Sequence, residues 1–442
     1  MKTKNTCCLR PPMGWNSWDC YAANVTEEQL LAHAEYMAKN LKQYGWEYIV
    51  CDIQWACERK EDSDEVYIPF ADLCMDEYSR LIPAPNRFPS SINGKGFAPI
   101  AEKVHALGLK FGIHIMRGIP RQAVHQYGKI KSVKEKGQAR LAREVANPFS
   151  VSRWQPDMYG VDRTKAGAQD YYDSLFEIYA SWGVDYVKVD DICNTNMWPH
   201  KPYSGKDEIE MIRLAIDKCG RPMVLSLSPG PAIITEAWHL GEYANMWRIT
   251  DDFWDSWPLL LDMFTRCEIW QDHVKPGNWP DCDMLPLGQI GVGFIESGKS
   301  AARNTKFTKD EQITLMTLWS IFRAPLMLGA VLSEPKLGFE IDDWTLSLIT
   351  NPEVLAVGQL GKEPHQIRRS AFDAVWVNKA CDEAGNETGE TNLALFNLSD
   401  EAREVPLDMP VSKMRDLWEQ KDITTKPSFH IPAHGSVLLR IK

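Results

Sequence analysis

The segment Val184-Asp-Tyr-Val-Lys-Val-Asp190 is a short run rich in β-branched residues that ends in a carboxylate. Residues 168–182, directly before it, are predicted to form a helix that leads into this strand. Helices and strands that alternate along a chain form a parallel sheet whose strands all end at one edge. When such a sheet closes into a barrel, the active site lies at this edge, so Asp190 is predicted at an active-site rim.

The same alternation covers residues 11–330. Predicted helices cover 28–44, 100–107, 168–182 and 207–219. Strand-like runs occur at 13–15, 47–52, 109–115, 184–190, 223–228, in a run ending at 250, near 281–285 and at 324–328. Eight such units predict a (β/α)8 TIM barrel, and we expect this catalytic domain to occupy residues 1–350.

The pattern changes after Asn351. Closely spaced strand-like runs separated by turn residues follow at 374–378, 392–398 and 429–441. Such runs are typical of paired antiparallel strands. We therefore expect a small C-terminal β-sandwich domain over residues 351–442.

Composition excludes several classes of partner. The chain has 442 residues, of which 44% are hydrophobic and 25% charged, as expected for one large and one small globular domain. A net charge of −11, without a basic run, argues against a nucleic-acid partner. No apolar stretch reaches the length of a membrane span, so no membrane partner is expected, and the oligomeric state stays open.

Cysteine and histidine usage predicts neither metal nor cofactor. The eleven cysteines are scattered without paired C-x-x-C motifs, and the ten histidines include no His-x-His pair. Free thiols are typical of a reducing compartment, so a cytoplasmic location is expected. The first residues lack the apolar core of a signal peptide. A periplasmic or secreted location stays open if a leader was removed.

A second carboxylate follows another strand-like run, in Trp247-Arg-Ile-Thr-Asp-Asp252. Asp190 and Asp252 thus lie at the ends of different strands, each accompanied by a cation, Lys188 or Arg248. Cleavage of a glycosidic bond needs two carboxylates, one to attack the anomeric carbon and one to protonate the leaving oxygen. For each aspartate alone, the alternative is a cap on the following helix.

Several motifs in a fixed order resemble one enzyme family. They are Pro12-Met-Gly-Trp-Asn-Ser-Trp18, Lys188-Val-Asp190, Arg248-x-x-x-Asp252, Pro276-Gly-Asn-Trp-Pro-Asp-Cys-Asp-Met-Leu285 and Ala324-Pro-Leu-Met327. Together they resemble glycoside hydrolase family 27, the melibiase-like α-galactosidases and α-N-acetylgalactosaminidases. The resemblance implies a retaining exo-acting glycosidase, without a cofactor, that releases a terminal α-linked galactose-configured sugar from an oligosaccharide or glycoside.

The resemblance also assigns the catalytic pair. It implies that Asp190 is the nucleophile and Asp252 the general acid/base. Lys188 precedes Asp190 by two residues and so shares its face of the strand, where a cation favours the charged carboxylate. Asp251 and Asp255 compete with Asp252, and the family's spacing of four residues after the arginine selects Asp252.

Sugar binding needs an aromatic wall and charged groups that bind hydroxyls. The resemblance supplies these at Trp18, Asp52, Lys188, Arg248 and Met284. Trp18 lies in the opening motif as the expected aromatic wall, although a core position is the alternative. Asp52 matches the first of two adjacent aspartates that hold hydroxyls.

Departures from the family pattern leave the sugar open. Ile53 replaces the second aspartate, His114 replaces a tyrosine, and Ser228 and Pro231 lie in the loop that reads the 2-position. Ser228 matches α-N-acetylgalactosaminidases, whereas Pro231 matches neither group. Ile53 removes an acceptor near C6, which favours a sugar without C6, such as β-L-arabinopyranose. Galactose is the default, and a catalytically inactive carbohydrate-binding barrel is the alternative of another class.

Overall fold

The computed structural model of the chain describes residues 3–59, 65–195 and 201–442. Its centre is one curved sheet of eight parallel strands, in the order β7-β6-β5-β4-β3-β2-β1-β8. The strands are β1 Met13–Asn16, β2 Tyr48–Cys51, β3 Lys110–Met116, β4 Tyr186–Asp190, β5 Val224–Leu227, β6 Met246–Arg248, β7 Trp279–Asp281 and β8 Leu326–Leu328. Leu285, just after β7, bridges to Leu328 in parallel and closes the ring. The prediction of a TIM barrel is confirmed.

Nine helices of seven or more residues connect or follow these strands in the described part of the chain. They are α1 Glu27–Asn40, α2 Ala98–Ala106, α3 Ala168–Trp182, α4 Lys206–Cys219, α5 Ala237–Tyr243, α6 Trp257–Trp270, α7 Lys309–Phe322, α8 Asp343–Ile349 and α9 Pro352–Leu360. Side chains fix the ends of several helices. Thr26 and Gln29 form a capping box at the start of α1, and Thr308 and Glu311 do the same for α7.

The barrel strands are buried on both faces, as expected for a parallel sheet covered by helices. All four residues of β2 and of β5 are buried. Close strand packing needs a glycine in β1, because a Cβ at Gly14 would lie 2.6 Å from Tyr48 Cβ. The rigid ring positions the residues at its carboxyl-terminal rim.

Insertions at this rim carry short strands of their own. A three-stranded sheet joins Ile119–Pro120, Met158–Val161 and Ala146–Val151, and small ladders pair Gln289–Ile290 with Arg303–Asn304 and Ile295–Glu296 with Lys299–Ser300. None of these insertions was predicted, since they lack a long periodic pattern. They rise above the strand ends and form part of the wall of the site described below.

The C-terminal strands form two antiparallel sheets, which confirms the predicted sandwich. The strands are β9 Lys362–Arg369, β10 Asp373–Cys381, β11 Glu387–Asn397, β12 Arg403–Pro406, β13 Met414–Asp416, β14 Lys421–Ile423, β15 Ser428–Ile431 and β16 Ser436–Ile441. Helix α9 was not predicted, because only strand-like runs were identified after residue 351. Asn351 caps it by accepting hydrogen bonds from Glu353 N and Val354 N. The domain boundary at residue 351 stays a prediction.

The sandwich packs directly on the barrel helices. Phe264 of α6 meets Phe396 of β11 edge to face, with ring centroids 4.9 Å apart. Asn378 Nδ2 donates to Ile321 O of α7 at 3.0 Å. All eleven cysteines are free thiols. Among the described residues, every helix is too short or too polar to cross a lipid bilayer.

Candidate active site

A cavity of about 340 Å³ opens at the carboxyl-terminal rim of the barrel. Carboxylates, two cations and aromatic rings share its wall. It is lined by Trp18, Asp19, Asp52, Ile53, Tyr67, Trp154, Lys188, Asp190, Pro229, Arg248, Asp251, Asp252, Phe253, Trp254, Asp283 and Met284. Both predicted catalytic aspartates therefore face one cavity, as a pair acting on a single bond requires.

Asp190, the last residue of β4, is held from two sides. His114 Nε2, from the neighbouring strand β3, hydrogen bonds to Asp190 Oδ2 at 2.7 Å, and the Ser228 hydroxyl donates to Oδ1. Burial alone would raise the pKa of Asp190, but Lys188 and His114 outweigh it and hold the pKa below its usual range. The carboxylate is therefore anionic and oriented, as a nucleophile must be.

Lys188 and Asp52 form an ion pair on the cavity floor. Lys188 Nζ lies 3.0 Å from Asp52 Oδ2, which also accepts from Asn16 Nδ2 at 2.8 Å. Burial opposes the charge on both groups. Lys188 nevertheless keeps the pKa of Asp52 below its usual range, and Asp52 and Asp190 keep the pKa of Lys188 above its own. The floor thus offers charged hydrogen-bonding groups to sugar hydroxyls.

Ile53 presents a hydrocarbon surface beside Asp52. It is buried in an apolar cluster with Ala23, Met116 and Met158, on which Trp18 packs. The neighbouring Gln54 points elsewhere, since its Nε2 donates to Ile68 O at 2.8 Å and to Asp157 Oδ2 at 3.1 Å. Gln54 therefore supplies no substitute for the missing aspartate.

Arg248, at the end of β6, joins two carboxylates. Its Nη1 and Nη2 both lie 3.0 Å from Asp252 Oδ1, and Nη2 lies 3.0 Å from Asp283 Oδ2. Burial alone would lower the pKa of Arg248, but Asp283 and Asp252 keep it raised. Phe253 N donates to Asp283 Oδ2 at 2.8 Å and ties the loop after β6 to the end of β7. The predicted four-residue spacing therefore corresponds to a direct contact.

The two rivals of Asp252 have different surroundings. Asp255 is buried and binds Arg303 through both oxygens, while Lys306 N donates to Asp255 Oδ2 at 2.6 Å. It does not line the cavity. Asp251 lines the cavity but accepts the backbone N–H of Asp252 at 3.0 Å. The contact with Arg248 distinguishes Asp252 from both.

Trp18, the predicted aromatic wall of the sugar site, lines the cavity. Its ring stacks on that of Tyr67, with ring centroids 5.2 Å apart and planes at 13° to each other. The ring centroids of Tyr67 and Trp154 lie 5.4 Å apart. Burial and the nearby Asp190 and Asp252 raise the pKa of the Tyr67 hydroxyl, which stays protonated. Trp18 is therefore not a core residue but a partly exposed surface of the cavity.

Of the eleven residues that the sequence analysis assigned to catalysis or to the sugar site, eight line the cavity and three do not. The lining residues are Trp18, Asp52, Ile53, Lys188, Asp190, Arg248, Asp252 and Met284. His114 and Ser228 lie behind Asp190 and contact it, whereas Pro231 is exposed and does not line the cavity. The assigned roles stay predictions, but the residues do meet at one place.

Several lining residues were not predicted. Asp283 lies inside the quoted motif 276–285, two residues from Asp281, so its position was available from the sequence. Asp19 directly follows Trp18; burial and the nearby Asp283 raise its pKa well above the usual range. Tyr67 and Trp154 come from rim insertions without a motif, and only the fold brings them to the cavity.

The chain matches two family models. The model described as Alpha galactosidase A covers residues 159–360. The model described as Alpha galactosidase C-terminal beta sandwich domain covers residues 375–441. The first match includes both catalytic candidates, and the second covers most of the sandwich.

Full-length relatives are also similar. A family 27 β-L-arabinopyranosidase structure from Geobacillus stearothermophilus is 50% identical, covers 99% of this chain and 98% of its own, and superposes with a TM-score of 0.90. The structure of a putative α-N-acetylgalactosaminidase from Bacillus halodurans is 47% identical over 98% and 97% of the chains, with a TM-score of 0.82. Alpha-galactosidase 2 from Arabidopsis thaliana is 26% identical over 95% of this chain and 85% of its own.

Proposed function

The chain belongs to glycoside hydrolase family 27, and we propose that within this family it is a retaining β-L-arabinopyranosidase. The apolar surface of Ile53 beside the Asp52–Lys188 pair is the observation that carries the proposed sugar. A 6-hydroxyl there would lose water without gaining an acceptor, which is costly. A galactose-configured pyranose that lacks C6 avoids this cost.

The surroundings of Ile53 strengthen this proposal. His114 and Gln54, which line a small pocket together with Ile53, are two candidates to replace the missing acceptor. His114 is engaged with Asp190, and Gln54 is engaged with Ile68 and Asp157. Neither lines the cavity. The 50% identical structure is that of a β-L-arabinopyranosidase, and a variant of that protein was solved in complex with arabinose.

In the proposed reaction Asp190 attacks the anomeric carbon while Asp252 protonates the leaving oxygen. The bond to the leaving group breaks as the bond to Asp190 forms, giving a covalent glycosyl-enzyme. Asp252, now ionised, removes a proton from water, which displaces Asp190 with a second inversion. Lys188, His114 and the Ser228 hydroxyl stabilise Asp190 when it leaves as an anion. Asp52 and Lys188 orient the sugar hydroxyls.

α-Galactosidase activity is the second candidate. The Asp52–Lys188 pair, the aromatic wall and the 26% identical curated relatives favour it. We expect it as a weaker activity of the same site, because the two sugars differ at C6. α-N-Acetylgalactosaminidase activity has less support, since the Ser228 hydroxyl is used by Asp190.

The test compares p-nitrophenyl β-L-arabinopyranoside with p-nitrophenyl α-D-galactoside on the wild type, Ile53→Asp and the apolar control Ile53→Val. The wild type should have the higher kcat/KM on the arabinopyranoside. Ile53→Asp should shift the ratio toward the galactoside by about tenfold or more, the value of one charged hydrogen bond. Ile53→Val should leave the ratio near that of the wild type. An equal ratio in wild type and Ile53→Asp would show that residue 53 does not select the sugar.

We also propose a cytoplasmic location. The eleven free thiols, most of them buried, support it, because disulfides are rare in reducing compartments. Fractionation of the cells that make the protein, with activity measured in each fraction, tests this proposal. Activity found mainly outside the cytoplasm would contradict it.

A further inference from the structure

We propose that Trp254, supported by Phe294, forms a subsite that binds the sugar ring of the leaving group. The inference rests on the glycosidase activity proposed above but not on which sugar is released. It adds a binding site on the far side of the scissile bond from Lys188 and Asp52.

Five aromatic rings form a continuous chain of contacts around the cavity mouth. From one end to the other these are Trp154, Tyr67, Trp18, Phe294 and Trp254. Neighbouring centroids lie 5.2–6.2 Å apart, within the range of favourable aromatic pairs. We call this set the aromatic collar.

Trp254 is the end of the collar nearest in sequence to the acid/base. It follows Asp252 by two residues, and both line the cavity. Phe253 N, between them, is fixed to Asp283 at 2.8 Å. The leaving oxygen must lie within hydrogen-bond reach of Asp252, so the group attached to it emerges beside Trp254.

The Trp254 indole is partly exposed, and its ring is held in place by Phe294. The ring centroids lie 6.2 Å apart with planes at 83°, an edge-to-face arrangement in which Phe294 covers at most one face of the indole. Its Nε1 donates no hydrogen bond to any residue that the structure describes. A sugar ring offers an apolar C–H face and peripheral hydroxyls, and these match an open indole face with a free donor.

The hairpin that carries Phe294 is anchored to the barrel. Asn24 Nδ2 donates to Gly293 O at 2.9 Å, and Gly293 N donates to Cys20 O at 2.8 Å. Phe294 is therefore a fixed support for Trp254. A preorganised ring costs less entropy on binding than a mobile one.

The experiment compares substrates with the same released sugar but different leaving groups. α-D-Galactosyl fluoride and melibiose form one pair, and β-L-arabinopyranosyl fluoride and β-L-arabinopyranosyl-(1→6)-glucose form the other. Fluoride cannot use the subsite, whereas glucose can. In Trp254→Ala, kcat/KM for the disaccharide should fall by about tenfold or more, with a raised KM, while fluoride hydrolysis stays near the wild-type rate.

Trp254→Phe should retain most of the wild-type activity on the disaccharide, because phenylalanine keeps an aromatic face. Trp238→Ala is the matched control: Trp238 is 65% exposed on α5 and does not line the cavity. The rate of glycosyl fluoride hydrolysis itself shows whether the site is folded.

Equal losses of activity on the fluoride and the disaccharide, or no loss on either, would overturn the proposed subsite. A wild type that cleaves the galactosyl pair faster would contradict only the arabinopyranosidase proposal. Inactivity on both fluorides would overturn the glycosidase proposal and the subsite together.

Discussion

The two carboxylates that the site brings together lie in opposite surroundings. The Asp190 side chain is 10% exposed and receives hydrogen bonds from His114 and Ser228, on strand β3 and just after β5. The Asp252 side chain is 58% exposed and, among the residues that the structure describes, forms one ion pair, with Arg248. One carboxylate is fixed inside the barrel rim, and the other lies on a loop at the mouth.

This contrast matches the two tasks of a retaining glycosidase. The nucleophile must be anionic and aligned with the anomeric carbon, so buried donors on rigid strands suit it. The acid/base must meet first a leaving group and then a water molecule, so it needs access from solvent. The position in the fold therefore supports the roles that the motifs imply.

Asp190→Ala should produce the largest loss. Without the nucleophile, kcat should fall on the order of 10⁴-fold for every substrate, regardless of its leaving group. Steady-state rates on p-nitrophenyl and fluoride substrates measure this loss, and circular dichroism checks the fold. Activity within tenfold of the wild type would remove Asp190 from the mechanism.

Asp252→Ala should produce a loss that depends on the leaving group. For disaccharides the glycosylation rate should fall roughly 10²–10⁴-fold, because their leaving oxygen needs a proton. For the glycosyl fluoride, single-turnover glycosylation should stay close to the wild-type rate. Asp251→Ala is the matched neighbour, with a smaller and uniform effect. The assignment would be wrong if the rate of Asp252→Ala fell equally for all leaving groups while that of Asp251→Ala depended on the leaving group. Asp251 would then be the acid/base.

His114→Ala should produce an intermediate loss. Removing a charged hydrogen bond from Asp190 costs about 1.5–3 kcal/mol, or roughly 10–150-fold in kcat/KM. The pKa of Asp190 is held down partly by His114, so the variant raises this pKa. Asp190 must be ionised to react, and the acidic limb of the kcat/KM profile should therefore move to higher pH. An unmoved limb would show that another group titrates there.

Asp255→Asn should have the smallest effect on turnover. Asp255 binds Arg303 and the backbone of Lys306 outside the cavity, so its loss should lower the melting temperature and leave kcat within about threefold. Thermal unfolding and rates at a temperature well below the transition measure the two effects. A large fall in kcat with an unchanged melting temperature would place Asp255 in the chemistry.

Much of the fold follows from sequence periodicity. All eight barrel strands lie at or beside predicted runs, because buried parallel strands are continuous β-branched stretches. The seventh barrel strand was predicted near 281–285, whereas β7 covers Trp279–Asp281. Pro280 interrupts the strand-like pattern there, because proline is unusual inside a strand. Helix α9 was missed because its capping Asn351 and Pro352 resemble a turn signal in sequence.

The site was predictable where residues end barrel strands. Lys188, Asp190 and Arg248 belong to β4 and β6, and Asp52 directly follows β2, so the fold dictates their meeting. Tyr67, Trp154 and Phe294 belong to insertions, whose path no periodic pattern fixes. The engagement of His114 with Asp190 depends on the register of β3 against β4, which places His114 opposite Lys188.

The most direct test of the contrast between Asp190 and Asp252 is the anomeric configuration of the azide product formed by each alanine variant from a glycosyl fluoride. In Asp252→Ala, azide should attack the glycosyl-enzyme and give a glycosyl azide with the configuration of the substrate. In Asp190→Ala, azide should occupy the space of the missing carboxylate, attack directly and give the inverted azide. Nuclear magnetic resonance of the products distinguishes the two. An inverted azide from Asp252→Ala and a retained one from Asp190→Ala would contradict the assignment.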